Sequence, residues 1–460
     1  MVKTVKNSKF NIHFIGIGGV SMSALAHLML NIGYNVSGSD MTNNAFCETL
    51  RRKDCIINIG HKPANVPDNT NLVVYTGAIK NDNPELNYAY EKGIKTMERS
   101  EFLGWVAKNY KNVIAISGTH GKTTTTAMLG NIFIEANKIP TIHLGGESEN
   151  MEGNVTCGSD EFFITEACEY RNSFHHIVPT VSVVTNIEKD HTDWYNNMGE
   201  IVDSFTLFVN NSTQNIVVFE NKQFVKHIKY DKRIVSCGFD DEYDVQGFNL
   251  FKNPDGCYSF EVKYYGTYIG RFNCDVIGLH NAKNALCAVA VALLFDVDIS
   301  AIYRGIKNFK GVKRRYEKIG EYNGVPIIAD YAHHPTEIKN SIAGALITHK
   351  KILCIFQPHT YSRTIGLMKE FRRAFAGVHE LVIYKTYKAR EKYIRGGSAQ
   401  ELFRKVNLRI QNKYYCDTQK CLIRTIKSID KSYDLILVLG AGDIYEIIKK
   451  VYTKLKKSVD

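Results

Sequence analysis

The fold prediction rests on one stretch of sequence, VIAISGTHGKTTT at residues 113–125. Its apolar start, glycine turn and polar continuation predict a strand, a phosphate-binding loop and an α-helix. Amides of such a loop can surround phosphate oxygens, Lys122 can offset phosphate charge, and the Thr123 hydroxyl can bind Mg²⁺. The usual P-loop has a glycine where this chain has Ile116, so the loop is a shortened variant. The residues predicted to bind the nucleotide here are Gly118, Thr119, His120, Gly121, Lys122, Thr123 and Thr124.

Two further segments, residues 10–17 and 325–328, open with a short apolar strand in the same way. A length of 460 residues also suggests about three domains. The sequence therefore predicts an α/β protein with three domains. We expect a Rossmann-like domain at residues 1–110, a central P-loop ATPase-like domain with a mostly parallel sheet at 111–314, and a C-terminal Rossmann-like domain at 315–460.

Short, continuously apolar runs are typical of strands that are buried on both faces of a parallel sheet. Such runs occupy residues 181–185, 353–356, 381–384 and 435–439. Residues 245–276 are instead rich in Tyr, Phe and turn residues, which predicts a small antiparallel excursion within the middle domain.

The composition is that of a packed protein, with 44% apolar and 23% charged residues. The eleven cysteines include no C-x-x-C pair and are predicted to be reduced. No export signal and no apolar run of about 18 residues is present, which predicts a cytoplasmic protein without a membrane span. The formal charge of +11 is spread along the chain without a nucleic-acid motif, so we predict a solvated surface and no nucleic-acid partner.

A second glycine turn, GIGGVSMSA at residues 16–24, follows an apolar strand. Such a turn lets backbone N–H groups meet a pyrophosphate, although Ser21 stands at the third glycine position of the dinucleotide fingerprint. Asp40, about twenty residues further on, is placed to bind a ribose hydroxyl. The alternative is a tight βα turn without a ligand.

Two candidate metal ligands follow predicted strands. Glu166 comes after residues 161–165, where its carboxylate can face the Mg²⁺ of the loop, or is a solvated strand-end acid. His191 follows the strand at residues 181–185 and is either a ligand of a second ion or a structural histidine.

Three more polar clusters lie where helices begin or strands end. Asn281 and Asn284 are three residues apart at a predicted helix start, where they pair with adenine edges or cap the helix. The segments DYAHHP at residues 330–335 and FQPHTYSR at 356–363 follow buried strands, at the edge where α/β sheets bind ligands. Loops with satisfied hydrogen bonds are the alternative for both.

Together these motifs resemble the Mur ligase family of bacterial cell-wall synthesis. The resemblance covers nearly the whole chain and keeps the order of the motifs. They are GIGG at residues 16–19, GTHGKT at 118–123, EACE at 166–169, TNI at 185–187 with Asp190 and His191, HN at 280–281 with Asn284, DYAHHP at 330–335, FQPH at 356–359, and GAGD at 440–443.

The resemblance implies that ATP phosphorylates the lactyl carboxylate of UDP-N-acetylmuramate and that the amine of L-alanine attacks the acyl phosphate. A carboxylate has no good leaving group, whereas an acyl phosphate expels inorganic phosphate. Positioning and charge neutralisation should therefore dominate catalysis. The resemblance also implies one or two Mg²⁺ ions, small-molecule substrates, and a monomer or weak homodimer.

The resemblance assigns roles to individual positions. The implied catalytic residues are Lys122, Glu166, His191, His333 and Arg363, of which Glu166 and His191 bind metal together with Thr123. Adenine would be bound by Asn281 and Asn284, ribose and phosphates by Arg315 and Asp330, alanine and the acyl group by His333 and Arg363, and the uridine diphosphate by Gly16, Gly18, Gly19, Asp40 and Thr76.

This chain departs from the family pattern at some positions. Many relatives have Asp at the positions of Cys168 and Arg171, and some have Arg at the position of Thr360, so muramyl contacts there are left unassigned. The nearest rival is the recycling ligase that joins a peptide to the same sugar nucleotide. That branch usually has Cys in the first glycine motif, which reads GIGGVSM at residues 16–22 here, so alanine is favoured.

Two functions of other classes explain less of the sequence. A nicotinamide oxidoreductase would leave the loop at residues 118–123 without a role. A non-enzymatic ATP switch would bind ATP without releasing phosphate.

Overall fold

The computed structural model describes residues 10–151, 153–229, 231–240, 242–406, 412–428 and 433–456. These residues form three β-sheets that follow one another along the chain and are covered by helices. The predicted α/β class with three domains is confirmed. The domain boundaries near residues 110 and 314 stay predictions.

The N-terminal sheet is parallel throughout, in the strand order β3-β2-β1-β4-β5 that is typical of a Rossmann sheet. Helix α1 begins directly after the glycine turn, and its apolar residues Met22, Leu25 and Met29 are buried at helical spacing. The elements are β1 (Asn11–Ile15), α1 (Val20–Ile32), β2 (Asn35–Asp40), α2 (Ala45–Arg51), β3 (Ile56–Ile59), β4 (Leu72–Tyr75), α3 (Pro84–Glu91), β5 (Lys95–Glu98) and α4 (Arg99–Ala107).

The middle sheet places the strand before the phosphate-binding loop, β6, between β9 and β10, both parallel to it. Strands β13, β14 and β15 pair in antiparallel fashion, which confirms the excursion predicted at residues 245–276. The elements are β6 (Asn112–Ser117), α5 (Lys122–Glu135), β7 (Thr141–Ser148), β8 (Gly153–Thr156), β9 (Phe162–Glu166), β10 (Val181–Val184), α6 (Met198–Asn210), β11 (Asn215–Phe219), α7 (Lys222–Val225), β12 (Arg233–Gly238), β13 (Val245–Lys252), β14 (Tyr258–Tyr264), β15 (Thr267–Cys274), α8 (Leu279–Leu294) and α9 (Ile299–Lys307).

The C-terminal sheet has the order β16-β17-β21-β18-β19-β20, and only β16 is antiparallel to its neighbour. Helices cover this sheet as they cover the N-terminal sheet, but the strand order differs. The elements are β16 (Glu317–Tyr322), β17 (Val325–Asp330), α10 (Pro335–Thr348), β18 (Ile352–Phe356), α11 (Tyr361–Gly366), α12 (Met368–Phe371), β19 (Glu380–Tyr384), α13 (Ala399–Lys405), β20 (Asn412–Cys416), α14 (Gln419–Ser428), β21 (Leu435–Leu439) and α15 (Ile444–Lys456). Within the described ranges, no helix combines the length and apolar character that a membrane crossing requires.

The N-terminal and middle domains share one hydrophobic core. Phe14 and Phe102 from the first sheet and its helices belong to the same buried cluster as Phe163 from the middle sheet. Polar contacts add to this junction, because Ser21 Oγ lies 3.0 Å from Nε2 of the buried His143. Burial lowers the pKa of His143 to about 4, so this contact involves a neutral imidazole at pH 7. The first glycine turn is thereby fixed next to the middle sheet.

Two helical glycines allow a test of how closely these helices pack. A β-carbon at Gly305 in α9 would lie 2.5 Å from the backbone Cα of Ile132 in α5, whereas one at Gly344 in α10 would lie 3.2 Å from a methyl group of Ile277. Backbone cannot move away easily, but a side chain can rotate. We expect Gly305→Ala to lower the free energy of unfolding by about 1–3 kcal/mol, although alanine favours helix.

The matched control, Gly344→Ala, should leave urea unfolding within about 1 kcal/mol of wild type. Equal losses in both variants would contradict the close approach of α9 and α5.

Candidate active site

The phosphate-binding loop is a tight turn between β6, which ends at Ser117, and α5, which begins at Lys122. Gly121 has a φ of +84°, and a β-carbon on it would collide with Asn284. Gly118 has a φ of +137°, and a β-carbon there would collide with Thr185. Only glycine fits either position. The first turn of α5 leaves backbone N–H groups without helical partners, which is where helices bind anions.

Asn186, just after β10, holds the loop in place. Its backbone carbonyl accepts the N–H of Thr119 at 3.1 Å, and its Oδ1 accepts the N–H of His120 at 2.9 Å. Its Nδ2 donates back to the carbonyl of His120 at 2.9 Å. These two amides are therefore used within the protein, and the backbone donors left for phosphate lie at the helix start, from Gly121 to Thr124.

Lys122 is held by the loop and by a carboxylate that the sequence did not single out, Glu169. Its Nζ donates to the carbonyls of Gly118 and Thr119 and lies 2.9 Å from Glu169 Oε2. Burial opposes charge on both groups, yet their pairing raises the pKa of Lys122 above its usual range and lowers that of Glu169 to about 2. Both are charged at neutral pH. Glu169 Oε1 also lies 3.2 Å from Nε2 of His191.

Thr123 and Glu166 supply two oxygen donors that suit Mg²⁺. The carboxylate of Glu166, at the end of β9, accepts a hydrogen bond from the Gly145 N–H. Burial raises the pKa of Glu166, so a cation beside it would favour its charged form. His191 Nε2 is engaged by Glu169, so these residues fit a first ion better than a second.

Most of the predicted nucleotide residues line one cavity of about 510 Å³ between the middle and C-terminal domains. Asn281 and Asn284 lie at the start of α8 as predicted, but the N-cap residue is Gly278, so neither caps the helix. Burial raises the pKa of Asp330 at the far side of the cavity. The predicted residues that line it are His120, Gly121, Thr124, Asn281, Asn284, Arg315 and Asp330.

Arg363 is buried and paired with Asp190 across the junction of the middle and C-terminal domains. Its Nε donates to Asp190 Oδ1 at 2.8 Å and its Nη2 to Oδ2 at 3.2 Å. Its Nη1 lies 3.0 Å from Nδ1 of His359. Against the effect of burial, Arg363 holds the pKa of Asp190 well below its usual range. Much of the guanidinium is therefore occupied by the protein, and it acts mainly as an anchor between domains.

His333 lies near this pair as a neutral imidazole. Burial lowers its pKa to about 4. Its Nδ1 lies 3.0 Å from the carbonyl of Tyr331, which can only accept, so Nδ1 carries the hydrogen and Nε2 keeps a lone pair. The lone pair of a neutral imidazole can accept a proton from the nitrogen of an amine nucleophile.

The residues predicted to bind the uridine diphosphate meet at the carboxyl edge of the N-terminal sheet. The N–H of Gly18 donates to Asp40 Oδ2 at 2.9 Å, and the N–H of Thr42 donates to Oδ1 at the same distance. Gly16 lies so close to Thr76 that a β-carbon would meet its methyl group at 2.6 Å. Gly19 precedes α1 as its N-cap residue. Asp40 thus shapes the glycine turn, whether or not it also reaches a ribose.

Sequence reasoning missed four charged residues at this site: Glu169, Glu188, Asp190 and Glu337. Glu169 and Asp190 lie inside quoted motifs, but no spacing rule assigned a partner to either. Glu188 and Glu337 contact His120 from two different domains. All four residues follow a strand or lie in the first turn of a helix that follows a strand. This position could have identified them as candidate site residues.

Models of three Mur ligase domains match successive parts of the chain. The catalytic domain of the family matches residues 11–111, its middle domain residues 116–292, and its glutamate ligase domain residues 314–442. The chain belongs to the Mur ligase family.

Curated relatives match this Mur ligase over almost its whole length. A UDP-N-acetylmuramate--L-alanine ligase of Clostridium beijerinckii is 42% identical over 98% of this chain and 99% of its own. One of Caldanaerobacter subterraneus is 39% identical over 97% of this chain and 98% of its own. The solved UDP-N-acetylmuramate-alanine ligase of Thermotoga maritima is 26% identical, covers 98% of this chain and 100% of its own, and has a TM-score of 0.82. A solved murein peptide ligase of Psychrobacter arcticus shares the fold. It is 24% identical, covers 97% of this chain and 98% of its own, and has a TM-score of 0.76.

The pairing of Lys122 with Glu169 in this Mur ligase can be tested by stability. Removing one partner of a buried ion pair costs about 3–5 kcal/mol, because the other charge is left buried and unpaired. We therefore expect Glu169→Gln to lower the midpoint of thermal unfolding. Inorganic triphosphate, which supplies new negative charge beside Lys122, should then stabilise the variant more than it stabilises wild type.

The control is Glu161→Gln, since Glu161 and Lys111 form an exposed pair at 3.7 Å. Exposed pairs contribute about 0–1 kcal/mol, so its midpoint and its response to triphosphate should match wild type. The same triphosphate response in all three proteins would contradict the role of Glu169.

Proposed function

We propose that this Mur ligase joins L-alanine to UDP-N-acetylmuramate with conversion of ATP to ADP and phosphate, a step of peptidoglycan synthesis. The observation that carries the proposal is the convergence of Lys122, Thr123 and Glu166 with His333 and Arg363 at the junction of two sheets. The relatives that share about two fifths of the sequence over nearly the full chain support the identity of the substrates.

The reaction has two balanced steps. The lactyl carboxylate of the sugar nucleotide attacks the γ-phosphorus, a new P–O bond forms, and ADP leaves. The neutral amine of L-alanine then attacks the acyl carbon, the C–O bond to phosphate breaks, and inorganic phosphate leaves. The nitrogen gives one of its two protons to a base such as His333 and keeps the other in the amide. Such chemistry needs positioning and charge neutralisation more than covalent help from the protein.

Charged groups at the loop would serve the first step. The free N–H groups at the start of α5 and the Lys122 ammonium would bind the β- and γ-phosphates. Thr123 and Glu166 would hold Mg²⁺, which offsets phosphate charge when it is bound. His191 would hold a second ion only after its Nε2 separated from Glu169.

Other residues, from all three domains, would bind the remaining groups of the substrates. Asn281 and Asn284 would face adenine, and Arg315 with Asp330 the ribose and phosphates. Gly16, Gly18, Gly19, Asp40 and Thr76 would bind the uridine diphosphate. The neutral His333 would accept a proton from alanine, and Arg363 would fix the acyl end of the site through Asp190.

The recycling ligase is the alternative, and it receives less support. The solved murein peptide ligases resemble this chain in fold, whereas the curated relatives at 39–42% identity are alanine ligases. The first glycine motif, GIGGVSM at residues 16–22, also lacks the Cys that the recycling branch usually has there.

An amino-acid screen tests the proposed reaction. Protein, ATP, Mg²⁺ and UDP-N-acetylmuramate are mixed with each of the twenty amino acids, or with the tripeptide of the recycling reaction, and phosphate release is measured. L-Alanine should give the fastest release, because the curated relatives that match nearly the full chain are alanine ligases. A flat response would remove the ligase assignment, and release only with the tripeptide of the recycling reaction would favour the alternative.

A second test separates the two nucleotide sites. Lys122→Ala should abolish turnover, because the phosphates lose their main cation, while calorimetry should show unchanged binding of the UDP-sugar at the N-terminal sheet. Loss of both would mean that the sugar-nucleotide site does not lie where we place it.

A further inference from the structure

The imidazole of His120 lies between two carboxylates that belong to different domains. Its Nδ1 is 3.2 Å from Oε1 of Glu337, in the first turn of α10, and its Nε2 is 3.6 Å from Oε2 of Glu188, after β10. Burial alone would lower the pKa of His120, but these two carboxylates raise it to about 9. The ring is therefore an imidazolium at pH 7, and it is turned toward the C-terminal domain.

Glu337 connects this ring to the segment that carries His333. Its Oε2 accepts the backbone N–H of His333 at 3.0 Å and that of His334 at 3.2 Å. Its Oε1, which meets His120, also lies 3.6 Å from Nη1 of Arg315. A continuous series of contacts thus runs from the phosphate-binding loop through His120 and Glu337 to His333.

The same cluster has the composition of a metal site, because ligand atoms of His120, Glu188 and His334 lie within 4.8 Å of one another. The hydrogen bonds of His334 exclude metal binding by this cluster. Its Nδ1 accepts the N–H of Thr336 at 3.2 Å and caps α10, so its lone pair is occupied. Its Nε2 lies 3.1 Å from the carbonyl of Lys189. The cluster is an ion pair between domains instead.

We propose that His120 and Glu337 are positioning residues that couple the phosphate-binding loop to the amino-acid site. When the loop is occupied and fixed, the imidazolium holds the Glu337 carboxylate, and Glu337 holds the backbone that orients His333. The role of His333 on alanine rests on the proposed function, whereas the coupling between the two domains does not.

Steady-state kinetics test the coupling with two variants, Glu337→Gln and His120→Asn. Each removes one charge of the pair and keeps a hydrogen-bonding side chain. Because coupling between sites is typically about 5–150-fold, we expect KM for L-alanine to rise by about tenfold in each variant. Affinity for UDP-N-acetylmuramate, measured by calorimetry, should change by less than about twofold, because the residues proposed to bind its uridine diphosphate lie at the N-terminal sheet.

The matched control is Glu147→Gln, which removes an exposed carboxylate 2.9 Å from Lys313, in the segment that leads into the C-terminal domain. It should behave as wild type.

The double variant of His120 and Glu337 should have a KM for L-alanine no higher than that of the poorer single variant, because both residues act through one contact. If the two single effects multiplied, so that KM for L-alanine rose by about a hundredfold in the double variant, the coupling would be overturned.

Hydrogen exchange supplies a readout that needs no ligase activity. The amides of His333 and His334 donate to Glu337, so exchange in residues 331–337 should slow when a non-hydrolysable ATP analogue binds wild type. This protection should be lost in both variants and kept in Glu147→Gln. Protection that persists in both variants would overturn the proposal.

The two proposals can fail separately. If wild type gains protection that both variants lose, but does not use alanine, the proposed function is contradicted and the coupling is supported. If wild type uses alanine and both variants have normal KM and normal protection, the proposed function is supported and the coupling is contradicted. If one variant does not fold, the other decides, since the two residues lie in different domains.

Discussion

The parallel pairing of β6 between β9 and β10 is the constraint on which the site depends. Because the three strands point the same way, their carboxyl ends meet at one edge, and the groups that follow them converge there. The loop and Lys122 follow β6, Glu166 and Glu169 end or follow β9, and Asn186 and His191 follow β10. If β9 ran antiparallel to β6, the carboxylates that end or follow it would lie at the opposite edge of the sheet.

Buried charges then have to be balanced, because an isolated ion in a protein interior is strongly unfavourable. Lys122 is balanced by Glu169, Arg363 by Asp190, and His120 by carboxylates on both sides. Two of these three contacts join the middle and C-terminal domains. The two pairs that join these domains thus also fix the phosphate-binding loop next to the C-terminal domain.

Sequence patterns predicted the parts of this site that depend on local structure. The strand, loop and helix at residues 113–125, the strand-end position of Glu166, and the helix-start position of Asn281 and Asn284 are all where they were expected. Each depends on the periodicity of apolar residues or on glycine, and both act over a few residues. The antiparallel excursion at residues 245–276 was predictable for the same reason.

Contacts between distant residues could not be predicted in this way. Arg363 and Asp190 are 173 positions apart, and His120 and Glu337 are 217 apart. No periodicity relates such pairs, because they meet only after three domains have packed. The use of the Thr119 and His120 amides by Asn186 was hidden for the same reason, so the loop offers fewer donors to phosphate than its sequence suggested.

At this edge of the sheet, the γ-phosphate of ATP would meet a carboxylate of the sugar nucleotide. Transfer of a heavy oxygen isotope from that carboxylate to phosphate is the most direct test. UDP-N-acetylmuramate labelled in both oxygens of the lactyl carboxylate is converted with L-alanine, and the released phosphate is analysed by mass spectrometry. An acyl phosphate predicts one labelled oxygen in every phosphate released. Phosphate without label, formed while the amide product accumulates, would contradict the account.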